Sequence, residues 1–388
     1  MIQLDDRLRA GQAATREWAK EMRACALDLD ARPDTVHDYL HLPFMAYMTT
    51  ATLPPEYIKE PFRVGGYEFL GVQTLERTVV IEELAVGDPG LLLGVPGPSL
   101  AGAVVAALGD EYQKHWFYER LAAGRTWTFL GLTEPRHGSD AGAMETRFDI
   151  ASDGSPGRLH GMKRYVGNAA RAEVGVVFAR TGPGPLGVVA VLVDTSEEGF
   201  GAEPIPTVGL RANQITTVRL DGVEVPAELV LGRHLSGVRR GMWGAVQGLS
   251  KFRPGVGALA LGIARAACEY VREHRRSTTR DEEFRLDALE REIAGIRQLI
   301  RGAAVAVDAS PGGLYLASAA KSRAATVAQE ATAAALGFFG PGARLEHPLL
   351  DKMDRDALGV EFMEGTANIH KLTVFQQLVK DRARHVRS

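Results

Sequence analysis

The spacing of apolar residues changes twice along this chain, and the two changes divide its 388 residues into three stretches. Up to about Arg125 the apolar residues recur with the period of amphipathic helices. After Thr126 short β-rich runs alternate with Gly, Pro, Asp and Asn turns, and from about Arg239 the helical period returns. The pattern therefore predicts helices, then a β domain, then a helical bundle.

Particular segments carry this prediction. Residues 75–84, 100–108, 256–271 and 286–300 follow helical spacing, and residues 174–179, 188–193 and 216–220 are typical of strands. Prolines and the Gly65-Gly66 pair predict loops within the first helical stretch. A chain of this length suits two or three domains, whose boundaries we place at 1–126, 127–235 and 236–388.

Composition excludes several classes of protein. The formal net charge is −3, and the basic residues are spread along the chain, so we expect no nucleic-acid partner. No apolar run is long enough to cross a bilayer, and the first residues do not resemble a secretion signal, which predicts a cytoplasmic protein. Cys25 and Cys268 are the only cysteines, so we predict neither a disulfide framework nor a metal site.

The segment Glu364-Gly365-Thr366-Ala367-Asn368-Ile369 places a carboxylate in a mostly apolar stretch of helical character. Loss of water around a glutamate raises its pKa toward the range of a general base. The alternative is an ordinary helix start, in which Thr366 or Asn368 caps the helix and Glu364 is a surface charge.

A second group of residues lies at the entry to the β domain, in the segment from Leu130 to Asp140. Its backbone N–H groups and the hydroxyls of Thr133 and Ser139 could donate to a ring carbonyl or a pyrophosphate oxygen. About two dozen residues later, Tyr165 alternates with small residues on a predicted strand and could cover one face of a planar ring. The alternative is that Tyr165 fills a core.

In combination these motifs resemble the acyl-CoA dehydrogenase family along nearly the whole chain. The resemblance rests on LTEPRHGSD, GMKRYVGNA, LDGVEVPAELVLG, KFRP and MDRDALGVEFMEGTANI, together with the helix, sheet, helix order. It implies an α+β fold with an N-terminal helical domain, a central β-barrel or sandwich domain and a C-terminal four-helix bundle.

The resemblance also implies a reaction. Glu364 matches the position of the catalytic base, which would take the α-proton of an acyl thioester while hydride passes from the β-carbon to flavin N5. The Glu364 amide would hold the thioester carbonyl, and Arg253 matches an arginine that would orient the base. The alternative for Arg253 is a surface salt bridge.

The implied cofactor is FAD. Tyr165 and Gly167 stand where relatives often carry Trp and a Thr or Ser beside the ring, so Gly167 removes a hydroxyl that usually bonds flavin N5. Relatives carry Arg-x-x-Phe-Gly where this chain reads His274 to Arg280, and the usual Gln before the Gly-Gly turn is missing ahead of Gly340, so the adenosine site is rebuilt or weakened. The cofactor-binding candidates are Leu132, Thr133, Gly138, Ser139, Tyr165, Gly167, Gly340, Thr366 and Asn368.

Three functions remain open from the sequence. The first is an acyl thioester dehydrogenase, acting on acyl-CoA or acyl-carrier protein, that passes electrons to an external electron-transfer flavoprotein. The second is a biosynthetic oxidase or monooxygenase of the same fold, in some cases decarboxylating. The third is a catalytically silent scaffold, which the retained Glu364 disfavours because a buried carboxylate costs stability. We expect a homodimer or a homotetramer.

Overall fold

The N-terminal third of the chain is helical, as the periodicity predicts. The computed structural model describes residues 2–51, 53–122, 125–151, 155–237, 239–242, 249–309 and 314–385. Asp5 begins the first helix, because its side chain accepts a hydrogen bond from the Leu8 amide and satisfies a free N–H of the first turn. The helices of this region are α1 (Asp6–Ala31), α2 (Pro43–Met48), α3 (Thr74–Gly87), α4 (Pro89–Leu93), α5 (Ser99–Leu108) and α6 (Glu111–Leu121).

The Gly65-Gly66 pair lies in a turn, as predicted, and this turn closes a two-stranded hairpin that the sequence did not indicate. Strands β1 (Phe62–Val64) and β2 (Tyr67–Phe69) pair antiparallel on either side of it. Both glycines have positive φ, 56° and 83°, which suits the two central positions of a tight hairpin. The strands are too short for the alternation of apolar residues to show in the sequence.

The central region forms one seven-stranded sheet. Strand β6 lies inside it and pairs parallel with β3 and antiparallel with β7, while β5 pairs antiparallel with β9 over most of its length. The register of β5 shifts between Arg164 and Val166, so Tyr165 lies at a bulge. The strands are β3 (Trp127–Gly131), β4 (Arg147–Asp149), β5 (Gly157–Gly167), β6 (Ala172–Arg180), β7 (Val188–Asp194), β8 (Phe200–Pro204) and β9 (Ile215–Val225).

The C-terminal region is a bundle whose long helices pack along one another. Small residues on α9 allow close approach to α7, and several of these alanines are completely buried. The helices are α7 (Arg253–His274), α8 (Arg280–Ala309), α9 (Leu314–Phe339), α10 (Ala343–Glu346), α11 (Pro348–Val360) and α12 (Ala367–His385), of which α7, α8, α9 and α12 form the bundle.

Two hydrophobic cores hold these regions together. One joins the N-terminal helices α1 and α3 to the bundle, and the other joins α5 and α6 to the sheet. Between α4 and α11, the buried Lys352 ammonium lies 2.5 Å from Asp88 and 2.6 Å from Asp356, and Asp356 also accepts the Leu210 amide from the β domain. Helix α11, which packs against α7 and α9, is therefore anchored to both other regions.

The predicted order of helices, β domain and helical bundle is confirmed, and so is the α+β class. Cys25 and Cys268 lie on α1 and α7 as free thiols, and the part of the chain that the structure describes contains no group of residues suited to a metal ion. Among the described helices, none is both long enough and apolar enough to cross a membrane.

Candidate active site

Glu364 lies in a turn between α11 and α12, not within a helix. Its φ is 52° and that of Gly365 is 104°, so two successive residues have left-handed or otherwise positive φ. Such conformations cost of order 1–3 kcal/mol for a non-glycine residue and persist only where surrounding contacts fix them. The carboxylate of Glu361 accepts the Ala367 amide at 2.7 Å and thereby caps α12, a task that the helix-start alternative assigned to Thr366 or Asn368.

The carboxylate of Glu364 is half-buried and is not hydrogen bonded to any described residue. Burial raises its pKa, Arg253 and Lys321 lower it, and the balance places it at about 6. A carboxylate with this pKa is mostly ionised at neutral pH yet is a stronger base than a solvated glutamate. Its lone pairs are free to accept a proton from a ligand.

Lys321, which the sequence analysis did not single out, lies directly behind this turn. It is completely buried on α9, and its Nζ donates to the carbonyl oxygens of Glu361 at 2.8 Å and Gly365 at 2.7 Å. Burial lowers its pKa to about 8, although Glu361 and Glu364 act in the opposite direction.

Arg253 begins α7 and faces the same site. Its Nη1 donates to Ser318 Oγ on α9 at 3.3 Å, and its buried Nε is not hydrogen bonded to any described group. Burial lowers the pKa of the guanidinium, and Glu364 opposes this effect. The contact with Glu364 is thus electrostatic, and the alternative of a surface salt bridge does not describe this partly buried side chain.

His370, also missed from the sequence, is completely buried in the first turns of α12, beside Gly365. Neither ring nitrogen is hydrogen bonded to the described residues. Burial, reinforced by Lys321 and Arg253, lowers its pKa to about 4, so the ring is neutral at physiological pH. The turn is therefore enclosed by one neutral imidazole and two cations.

A buried ion pair supports the second predicted group. Lys163 on β5 is completely buried, and its Nζ lies 2.8 Å from a carboxylate oxygen of Glu134 and 3.2 Å from the Leu132 carbonyl. The Glu134 carboxylate also accepts the amides of Glu145 and Thr146. Burial lowers the pKa of Lys163 to about 8 against the attraction of Glu134. Lys163 therefore holds the loop that carries Leu132 and Thr133 against β5.

The side chains on the outer side of this loop are available to a ligand. The Thr133 and Ser139 hydroxyls donate to no other described group, and Ser139 and Gly138 are exposed. Tyr165 is 60% exposed with a φ of 61°, so it does not fill a core, and that alternative is wrong. The Arg164 amide donates to the Thr133 carbonyl at 2.9 Å, so the strand segment that carries Tyr165 adjoins this loop. An exposed aromatic ring there suits the face of a planar ligand.

At Gly167 a side chain from a neighbouring loop fills the space. A Cβ at this position would lie 2.7 Å from Oδ1 of Asn213, which is too close for any real residue. That Oδ1 accepts Asn168 Nδ2 at 3.3 Å, and Asn213 Nδ2 donates to no described group. A Thr or Ser at 167 is therefore sterically excluded unless Asn213 moves.

The structure brings Arg253, Glu364 and Thr366 together at one end of the bundle. Asn368 is exposed on the first turn of α12, and neither its side chain nor that of Thr366 donates to a described residue. Gly340 lies elsewhere, at the opposite end of α9, roughly 28 Å along the helix axis from Lys321. The predicted cofactor contact of Gly340 therefore concerns a part of the molecule away from Glu364, and it stays a prediction.

Comparison with known proteins gives a consistent family. Residues 130–223 match the middle domain of acyl-CoA dehydrogenases, and residues 239–379 match their C-terminal domain. The chain is 30% identical over 325 residues to the probable acyl-CoA dehydrogenase YngJ of Bacillus subtilis (strain 168), a match that covers 80% of this chain and 84% of the relative.

Solved structures agree with this assignment. The fold matches butyryl-CoA dehydrogenase from Megasphaera elsdenii with a TM-score of 0.83 at 26% identity, over 98% of this chain and 100% of that one. The prolyl acyl carrier protein oxidase AnaB gives a TM-score of 0.80 over 97% of this chain and 100% of that one, and at 20% identity this likeness shows the fold alone. Since the two domain matches also cover more than half of the sequence, the chain belongs to the acyl-CoA dehydrogenase family and is a flavin oxidoreductase.

Proposed function

We propose that this protein catalyses the FAD-dependent α,β-dehydrogenation of an acyl thioester, with Glu364 as the base that removes the α-proton. The observation that carries the proposal is the free, half-buried carboxylate of Glu364, whose pKa burial raises to about 6. General-base catalysis is most efficient when the pKa of the base lies near the working pH.

The residues present fit a flavin. The exposed ring of Tyr165 offers a stacking face, and the Thr133 and Ser139 hydroxyls, which donate to no described group, offer donors on the adjoining loop. Thr366 and Asn368 offer polar side chains next to Glu364 on the bundle. When bound, FAD supplies the acceptor for the hydride that leaves the β-carbon. We assign Leu132, Gly138 and Gly167 to the same site through their backbone.

The chain itself performs the proton chemistry. The Glu364 backbone N–H donates to no described group and is free to bind the thioester carbonyl oxygen, where negative charge develops as the α-proton leaves. The Glu364 carboxylate takes that proton. Arg253, whose buried Nε bonds to none of the described groups, stabilises the ionised carboxylate before the transfer and limits where it can lie.

A Glu364→Gln variant tests this proposal. We expect the variant to bind FAD, to lose exchange of the substrate α-proton, and to lose anaerobic bleaching of the flavin by a panel of acyl-CoA and acyl-carrier thioesters. The exposed Glu203→Gln is the matched control and should bleach like the wild type. Near-normal bleaching in Glu364→Gln would refute the base assignment.

A second candidate function is a flavin oxidase or monooxygenase acting on a biosynthetic intermediate, and the packing at Gly167 favours it. Asn213 occupies the space that a hydroxyl residue at 167 would need, so the polar surroundings of the ring differ from those of relatives. Oxygen uptake per turnover without another electron acceptor separates the two functions. Rapid stoichiometric uptake with an oxygenated product would establish the second and exclude the first.

The partners follow from the leading proposal. Electrons leave to an external electron-transfer flavoprotein, and the acyl group arrives on CoA or on a carrier protein.

We also propose a homo-oligomer, because α12 exposes the apolar side chains of Leu372, Phe375, Leu378 and Val379. A purified protein that stays colourless with added FAD would instead support a silent scaffold.

A further inference from the structure

Lys321 is a buried cation whose hydrogen-bond partners are backbone carbonyls. Its side chain has no exposed surface, and burying an ammonium costs several kcal/mol unless its protons are well bonded. Within the described residues its bonds go to the Glu361 and Gly365 carbonyls and not to a carboxylate. These two hydrogen bonds to main-chain carbonyls offset the free-energy cost of burying the Lys321 ammonium.

Those two carbonyls lie on either side of Glu364. The Glu361 carbonyl is three residues before the base, and the Gly365 carbonyl belongs to the next residue. Between them the chain adopts a φ of 52° at Glu364 and 104° at Gly365. Residues in such conformations keep them only where several contacts fix the backbone. Lys321 supplies two of those contacts from a rigid helix.

The charge of Lys321 acts on the same carboxylate. Two cations act on the Glu364 carboxylate, Arg253 on α7 and Lys321 on α9. The other titratable groups around the turn are Glu361 at the end of α11, which acts on Lys321, and His370 on α12, which lies by Gly365. His370 is neutral at physiological pH, since its pKa is lowered to about 4, and the Glu361 carboxylate is bound to the Ala367 amide. Arg253 and Lys321 are thus the cations that keep Glu364 ionised.

We propose that Lys321 is a positioning residue for the base, holding the backbone on both sides of Glu364. Its positive charge acts together with that of Arg253 on the same carboxylate. This inference rests on the proposed function. It predicts two separable effects of Lys321, one on the geometry of proton transfer and one on the pH at which transfer begins.

Two variants separate these effects in the FAD-loaded protein. Lys321→Met removes both the charge and the hydrogen bonds, whereas Lys321→Gln removes the charge and keeps an amide donor. For Lys321→Met we expect flavin bleaching by substrate to slow by about 10²-fold, the loss typical of a reacting group misplaced by about 1 Å. Lys321→Gln should recover part of that rate.

The pH profile distinguishes positioning from mere folding. Because a cation beside Glu364 favours its ionised form, both variants should shift the acidic limb of the bleaching rate to higher pH, by about 1 unit. Arg323→Met is the control, because Arg323 lies on the same helix but is exposed and paired with Glu292. It should change neither the bleaching rate nor the acidic limb of the pH profile.

Hydrogen exchange gives a readout that does not depend on turnover. The amides of residues 361–366 should exchange faster in Lys321→Gln than in the wild type, while those of α7 stay unchanged. If Lys321→Met does not fold, Lys321→Gln decides the question by its bleaching rate, the acidic limb of its pH profile and its hydrogen exchange.

The inference is overturned if Lys321→Gln keeps the wild-type bleaching rate, the wild-type acidic limb of the pH profile and the wild-type hydrogen exchange, while Glu364→Gln abolishes bleaching. If Glu364→Gln bleaches normally, the proposed function fails instead. The two failures are therefore distinguishable.

Discussion

At the scale of single residues, the site depends on a glutamate in a backbone conformation that few glutamates adopt. The motif around Glu364 indicated a carboxylate in an apolar stretch, and the family resemblance assigned it the role of base, which stays a prediction. Lys321 could not be predicted in the same way. A lone lysine in an Ala-rich helix is typical of a solvated side chain, and only the packing of α9 against the turn shows that it is buried.

The pH dependence of proton transfer follows from the Glu364 carboxylate. Its pKa lies at about 6, and only the ionised form can accept the α-proton. The rate of flavin bleaching by substrate should therefore be constant at higher pH and fall as pH decreases through about 6, losing about tenfold per unit below it. Stopped-flow absorbance across pH 5 to 8 measures this. An acidic limb near the ordinary glutamate value of about 4.3 would contradict it.

Gly365 allows the turn, and an alanine there tests how much the turn matters. At a φ of 104° an added Cβ is strained, and it would lie 3.3 Å from the buried His370 ring. Gly365→Ala should lose about 1–3 kcal/mol of stability and slow bleaching. The control is Gly337→Ala in α9, where the Cβ meets open space and a gain of about 0.5–1 kcal/mol is expected. Thermal melts that rank the two variants the other way would refute the strain argument.

At the scale of elements, helical and strand periods predicted much of the architecture. The segments at 256–271 and 286–300 lie within α7 and α8, and those at 174–179 and 188–193 lie within β6 and β7. The bulge at Tyr165 was not predicted, because a one-residue register shift leaves no trace in apolar spacing. The ion pair between Lys163 and Glu134 was not predicted either, because it depends on how β5 lies against the segment after β3.

The Lys163 and Glu134 pair should be a major support of the loop at 132–139. Removing one member of a buried pair leaves an uncompensated charge and typically costs about 3–5 kcal/mol. Lys163→Met should therefore lower the melting temperature and weaken FAD binding, as calorimetry and flavin release on dilution would show. Arg158→Met on the same strand breaks an exposed pair with Glu224 and should cost less than about 1 kcal/mol. Equal effects of the two changes would show that the loop does not need its buried support.

At the scale of the whole molecule, one core joins α1 and α3 to the bundle and the other joins α5 and α6 to the sheet, yet much of α12 is left outside both. Large exposed apolar patches are uncommon on proteins that function as monomers. The sequence predicted an oligomer from resemblance alone. It did not point to α12, because the exposed face of that helix follows from the packing of its neighbours.

Charge placed on α12 should separate the subunits. The combined Phe375→Glu and Leu378→Glu variant introduces two carboxylates where both side chains are now more than half exposed, so it should fold as a subunit but dissociate. Light scattering after gel filtration measures the mass. Tyr112→Glu on α6, at a similarly exposed apolar site, should keep the wild-type mass. A wild-type holoprotein that elutes as a monomer would contradict the prediction directly.

Glu361 links these scales, because one residue ties down two helices. Its carboxylate accepts a hydrogen bond from the first residue of α12, and its carbonyl accepts one from Lys321 on α9. A tilt of α12, whether from subunit docking or from a bulky fusion at its far end, would therefore displace the turn that carries Glu364. We expect such a fusion to alter the environment of that carboxylate before it alters the fold.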